Sequence, residues 1–104
     1  MAEKKIQIVH LPSINEIDKQ VMAGNIEHAY ERLGIYIPGE LVMEVHFKQS
    51  SSTGKRQLYE VHAHIRGIGK KFNAKFSDWD ASKALNKTLA ALEKEASKNK
   101  SKKN

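Results

Sequence analysis

Lysines at positions 83, 87, 94 and 98 have the spacing that speaks most directly of chemistry. On an α-helix turning roughly 100° per residue, their four ammonium groups fall within roughly 60° of one another along about 22 Å of axis. A row of positive charges at that pitch suits a run of phosphates, each lysine displacing a counterion. Ala90 sits in the middle of the row, short enough to leave a nucleic-acid backbone unobstructed, and Glu93 and Glu95 fall to its sides. A solvated helix face would have the same spacing. The lack of acidic residues interleaved within the row favours a contact surface.

A second basic group, Arg66-Gly67-Ile68-Gly69-Lys70-Lys71, combines cations with glycines that let a backbone approach phosphate closely. Its spacing is neither a dinucleotide fingerprint nor a Walker loop, and a hairpin turn is its simpler reading. Lys55-Arg56 is a weaker instance of the same kind. His46, His62 and His64 raise the question of a metal. A zinc site needs three or four converging ligands, and the pattern does not converge them, so no metal and no other cofactor is expected. Asp78 and Asp80 are better placed to cap a helix than to form an acid–base pair. The serines lack the strained turn that activates a nucleophile. No catalytic residue and no small-molecule substrate are therefore expected. Tyr59 and Trp79 offer rings on which a base could stack, but Trp79 beside a helix start reads as a lid on the core.

These side chains need elements to hold them. Residues 6–9 read as a short strand. Ser13-Ile14-Asn15-Glu16 has capping-box spacing, so a helix is expected to begin there. Ile14, Ile17 and Val21 form one apolar stripe, and Met22, Ile26, Ala29 and Leu33 another, rotated by roughly a third of a turn. Gly24-Asn25 at their join implies a bend or two shorter helices. Gly34 is the expected C-terminal cap, with Pro38-Gly39 blocking continuation.

Residues 41–48 alternate as a strand with Leu41, Met43, Val45 and Phe47 inward, and residues 50–56 read as a flexible polar loop. Residues 58–65 place Tyr59, Val61, Ala63 and Ile65 inward, and residues 71–76 place Phe72, Ala74 and Phe76 inward, which makes an antiparallel meander. If Phe47 sits opposite Tyr59, His46 faces Glu60 and Glu44 faces His62, two favourable pairs when the imidazoles are protonated. That register is preferred to one setting Glu44 against Glu60. The last helix, capped by Asp78 or Asp80, runs to about Lys98, with Ala81, Leu85, Thr88, Leu89, Leu92 and Ala96 on one face. The fold expected is α+β, in the order β-α-β-β-β-α: a four-stranded sheet with both helices on one face. A right-handed crossover makes the first strand parallel to the second.

The 104 residues suffice for one domain, and 39% apolar content implies a thin core. Residues 1–98 are expected to form that domain and residues 99–104 a disordered basic tail. Residues 1–65 hold 7 Lys/Arg and 8 Asp/Glu, whereas residues 66–104 hold 11 Lys/Arg and 4 Asp/Glu. Such asymmetry points to a polyanion, nucleic acid before membrane. The absence of cysteine excludes disulfides and thiol chemistry and suits a reducing cytosol. Neither a secretory signal nor a membrane span is expected.

Residues 59–98 resemble the second half of the ribosome hibernation-promoting factors, the ribosome-associated translation inhibitors. The resemblance rests on Asp80-Ala81-Ser82-Lys83-Ala84-Leu85-Asn86, followed without gaps by Leu89 and Leu92-Glu93-Lys94, on Phe72-Asn73-Ala74, and on the element order. It implies a double-stranded-RNA-binding-like fold. It further implies a cytoplasmic, non-enzymatic monomer that docks on ribosomal RNA of the small subunit, in the channel used by messenger and transfer RNA, and blocks translation by occupancy. Lys94 and Lys98 match positions that face RNA in the family; Lys83, Lys87, Lys70, Lys71 and Arg66 are proposed from charge alone. The chain departs from the family at Ser82, where an aromatic residue is usual, and in a first helix whose only cations are Lys19 and Arg32. No dimerisation domain is expected after the last helix. A generic duplex-RNA module, or a protein-interaction domain whose lysines only solubilise, stays open beside this reading.

Overall fold

Alternating apolar residues fold into one mixed sheet. The computed structural model describes residues 5–12, 15–37, 39–53, 56–67 and 69–101. Strands β1 (Lys5–Val9), β2 (Val42–Thr53), β3 (Arg56–Gly67) and β4 (Lys70–Asp78) lie side by side in chain order, with helices α1 (Glu16–Tyr36) and α2 (Ala81–Ser101). β1 runs parallel to β2, and the remaining pairs are antiparallel. Met43, Val45 and Phe47 of β2 and Val61, Ala63 and Ile65 of β3 are buried in one cluster with Met22, Ile26, Ala29 and Leu33 of α1 and Leu85, Leu89, Leu92 and Ala96 of α2. Both helices therefore cover the same sheet face, as the strand alternation requires. Among the described residues no helix is long and apolar enough to cross a membrane.

The start of α1 differs from expectation. Its N-cap is Asn15, whose side chain accepts the Asp18 N–H at 2.8 Å; Ser13 and Ile14 lie outside the described residues. The helix neither breaks at Gly24 nor stops at Gly34, but reaches Tyr36 and is capped by Ile37. The reason is packing. Only the stripe from Met22 to Leu33 meets the core, whereas Ile17 and Val21 are 73% and 52% exposed. One buried face suffices to hold the helix through a glycine that costs about 1 kcal/mol.

The β2–β3 hairpin is longer than its composition suggests. Pairing continues to Thr53 opposite Arg56, with an irregularity between Gln49 and Ser51, so most of the expected polar loop is strand; Gly54 and Lys55 lie outside the described residues. The register moves with it. Phe47 pairs with Val61 rather than Tyr59, His46 with His62, Glu44 with His64, and Lys48 with Glu60. A shift of two residues keeps every side chain on its face, which is why the inward set was correct while the partners were not.

At the junction of β4 and α2, Asp80 is the cap: its Oδ1 accepts the N–H of Ser82 at 2.9 Å and of Lys83 at 3.2 Å. Asp80→Ala is expected to cost about 1 kcal/mol, a fall in Tm of roughly 4–8 °C for a domain this size, with Asp80→Ser recovering most of it. Trp79 is not the core lid expected of it, being 40% exposed, and Phe76 is 42% exposed. Thr88 is tolerated on the buried face because its hydroxyl donates to the Ala84 carbonyl at 2.7 Å. α2 runs to Ser101, three residues beyond the expected end; residues 102–104 lie outside the described residues.

Candidate nucleic-acid interface

Because the strands lie in chain order, an asymmetry along the sequence becomes one in space. Near-neutral residues 1–65 supply β1, α1, β2 and all but the end of β3, and basic residues 66–104 supply α2 and β4, the edge opposite β1. α2 packs on β3 and β4 and against α1. Its core face is buried, so the opposite face presents Lys83, Lys87, Lys94 and Lys98, all exposed.

Two acidic residues define what that row can do. Glu93 turns away from it and forms a bidentate pair with Arg32 of α1, Nε to Oε1 at 2.8 Å and Nη2 to Oε2 at 2.9 Å. It thereby ties the two helices together and leaves the row's charge intact. Asp78 does the reverse. At the end of β4 its Oδ2 lies 2.8 Å from Lys87 Nζ, so Lys87 is held in place and partly neutralised from a neighbouring strand. The Lys87 ammonium, helped by the Asp80 N–H, holds the Asp78 carboxyl below the usual carboxylate range. Helical spacing alone puts no acidic residue within the row. The Asp78 contact crosses between elements, and residue spacing carries no sign of it.

The basic hairpin divides. Arg66 pairs with Lys71 and Gly67 with Lys70, and Gly69 takes the left-handed conformation, φ +67°, that the tight turn demands. Ile65 and Phe72 face the helices, so by alternation Arg66 and Lys71 point to the opposite, open face of the sheet, while Lys70 stays on the helix side of the β4 edge. The seven proposed residues thus form no single patch. Lys83, Lys87, Lys94 and Lys98 share the helix surface with Lys70 at its border, whereas Arg66 and Lys71 belong to another surface. That second surface includes Lys48 and Lys75, which the sequence reading passed over; the alternation of β4 places Lys75 beside Lys71 and was the signal for it. Among the described residues no group of three His, Cys, Asp or Glu side chains is arranged to hold a metal ion.

No family model matches the sequence, and no curated protein matches it. Solved structures do. The N-terminal domain of Thermus thermophilus Protein Y superposes with a TM-score of 0.66 at 18% identity, over 93% of this chain and 98% of that one. A ribosomal subunit interface protein from Coxiella burnetii superposes with a TM-score of 0.53 at 17% identity, over 93% and 96%. At the level of fold, the resemblance drawn from residues 59–98 extends across nearly the whole chain: this β-α-β-β-β-α domain has the architecture of the Protein Y N-terminal domain and of a ribosomal subunit interface protein.

Proposed function

We propose that this chain is a ribosome-binding protein that grips ribosomal RNA of the small subunit through the exposed lysines of α2, and that it silences translation by occupying the channel of messenger and transfer RNA. The observation that carries the proposal is the basic outer face of α2, with Glu93 drawn off to Arg32. The fold it shares with a protein named for the ribosomal subunit interface supports the ribosome as the source of that RNA. In this reading the chain works as a monomer in the cytoplasm, without cofactor or chemistry of its own. Lys83, Lys94 and Lys98 meet phosphates directly. Lys87, pre-positioned by Asp78, meets one at lower net charge.

Sedimentation with isolated subunits tests this. Saturable binding to the small subunit is expected, surviving excess duplex RNA and falling steeply as salt rises. Binding that duplex RNA competes away would instead identify a shape-reading RNA module. Salt-insensitive binding to protein, with no RNA affinity, would identify an interaction domain.

A further inference from the structure

We propose that the open face of the sheet is a second phosphate-binding surface, engaging an RNA backbone when its three histidines are protonated. The observed register builds it. His46 lies opposite His62, which lies opposite Lys75; Glu44 lies opposite His64; Arg66 lies opposite Lys71. The His62 and His64 rings are 4.1 Å apart, and His46 meets His64 edge-on at 5.9 Å. With Lys48, Glu60 and Lys75 they line a shallow hollow of about 390 Å³.

Among the described side chains, every strand contributes to this face. β1 contributes Lys5, held at 2.7 Å by Glu40, and the neutral Gln7 and Val9. β2 contributes Glu44 and Lys48, β3 Glu60 and Arg66, β4 Lys71 and Lys75. Both carboxylates already face cations or imidazoles: Glu44 is 3.3 Å from His46 Nε2, and Glu60 is 4.0 Å from Lys75 Nζ. Three further positive charges therefore tip the face strongly basic. They repel one another, and His64, partly buried and beside His62 and His46, is held below the usual histidine range. A phosphate lying across the rings relieves that repulsion. Binding thus raises the histidine pKa values, and by linkage acid strengthens binding. The surface lies opposite the helices, and it requires neither the α2 lysines nor the ribosome as partner.

The test is the affinity for a duplex RNA of about 20 base pairs, compared at about pH 5 and about pH 7.5. Affinity is expected to rise on the order of tenfold or more in acid, and the slope of log K against log salt to steepen by about two. A chain carrying His46→Gln, His62→Gln and His64→Gln should lose that increment. One carrying His28→Gln, a histidine on α1 on the other side of the sheet, should keep it. Independently of any variant, RNA should raise the NMR-measured pKa values of the three rings in the unaltered protein. An acid increment that is absent, or that survives the triple substitution, or ring titrations unmoved by RNA, would overturn the proposal.

Discussion

Lys83→Glu together with Lys94→Glu is expected to weaken binding to the small subunit by on the order of 100-fold near physiological salt and to flatten its salt dependence by nearly two. In the proposed interface each substitution removes one phosphate contact and introduces a repulsive charge. Stability should change little. Lys83 is the third residue of α2 after its Asp80 cap, where a glutamate suits the helix dipole, while the loss of the Lys83 charge that helps keep Asp78 ionised works against it. The two effects oppose each other at an exposed site, so the doubly substituted chain should unfold within about 1 kcal/mol of the parent. A loss of binding with stability held separates a contact surface from a structural role. Lys87→Glu is the poorer probe: it breaks the 2.8 Å pair with Asp78 and leaves two carboxylates together. A folded Lys83→Glu, Lys94→Glu chain that binds RNA like the parent would sink the proposed interface.

Ile26→Ala and Ile17→Ala, the same change on the same helix, are expected to differ several-fold in cost. Ile26 is fully buried among the strands and α2, whereas Ile17 is 73% exposed. Truncating Ile26 removes apolar contact and leaves a cavity, at about 2–5 kcal/mol. That is a large share of the roughly 5–15 kcal/mol that holds a domain together. Truncating Ile17 should stay within about 0.5 kcal/mol, the range for an exposed site, and alanine's better helix propensity offsets part of that. Chemical denaturation of the two variants measures both numbers. Equal costs would mean that α1 is rotated on the sheet relative to the arrangement described here.

The comparison bears on how much of this protein was legible in its residues. The strand faces were, because period-two alternation with one apolar side leaves only one way to face a core. Leu41, Met43, Val45 and Phe47, and Val61, Ala63 and Ile65, are buried as that alternation demands. The face of α2 was legible for the same reason, with Leu85, Thr88, Leu89, Leu92 and Ala96 inside and the lysines outside by elimination. Local signals also served where one side chain meets its own backbone, as Asp80 does. Lys94 and Lys98, the positions carried over from the family resemblance, fall on that outer face.

What residue spacing could not determine depended on contacts between elements. α1 carries two apolar stripes, and only docking against α2 and the sheet chose the one containing Ile26. The β2–β3 register rests on a hairpin whose polar composition hides its strand, and neighbouring registers of the same parity satisfy the hydrophobic pattern equally. The pairing of Lys87 with Asp78, the diversion of Glu93 to Arg32, and the parting of Arg66 and Lys71 from the helix lysines follow from how elements lie across one another. Sequence by itself determined which faces are apolar and where charge accumulates, since both are properties of single residues and their period. Tertiary structure alone decided which charges are paired, which are free to meet phosphate, and that three histidines share one hollow, because electrostatic energy depends on distance in space rather than distance along the chain.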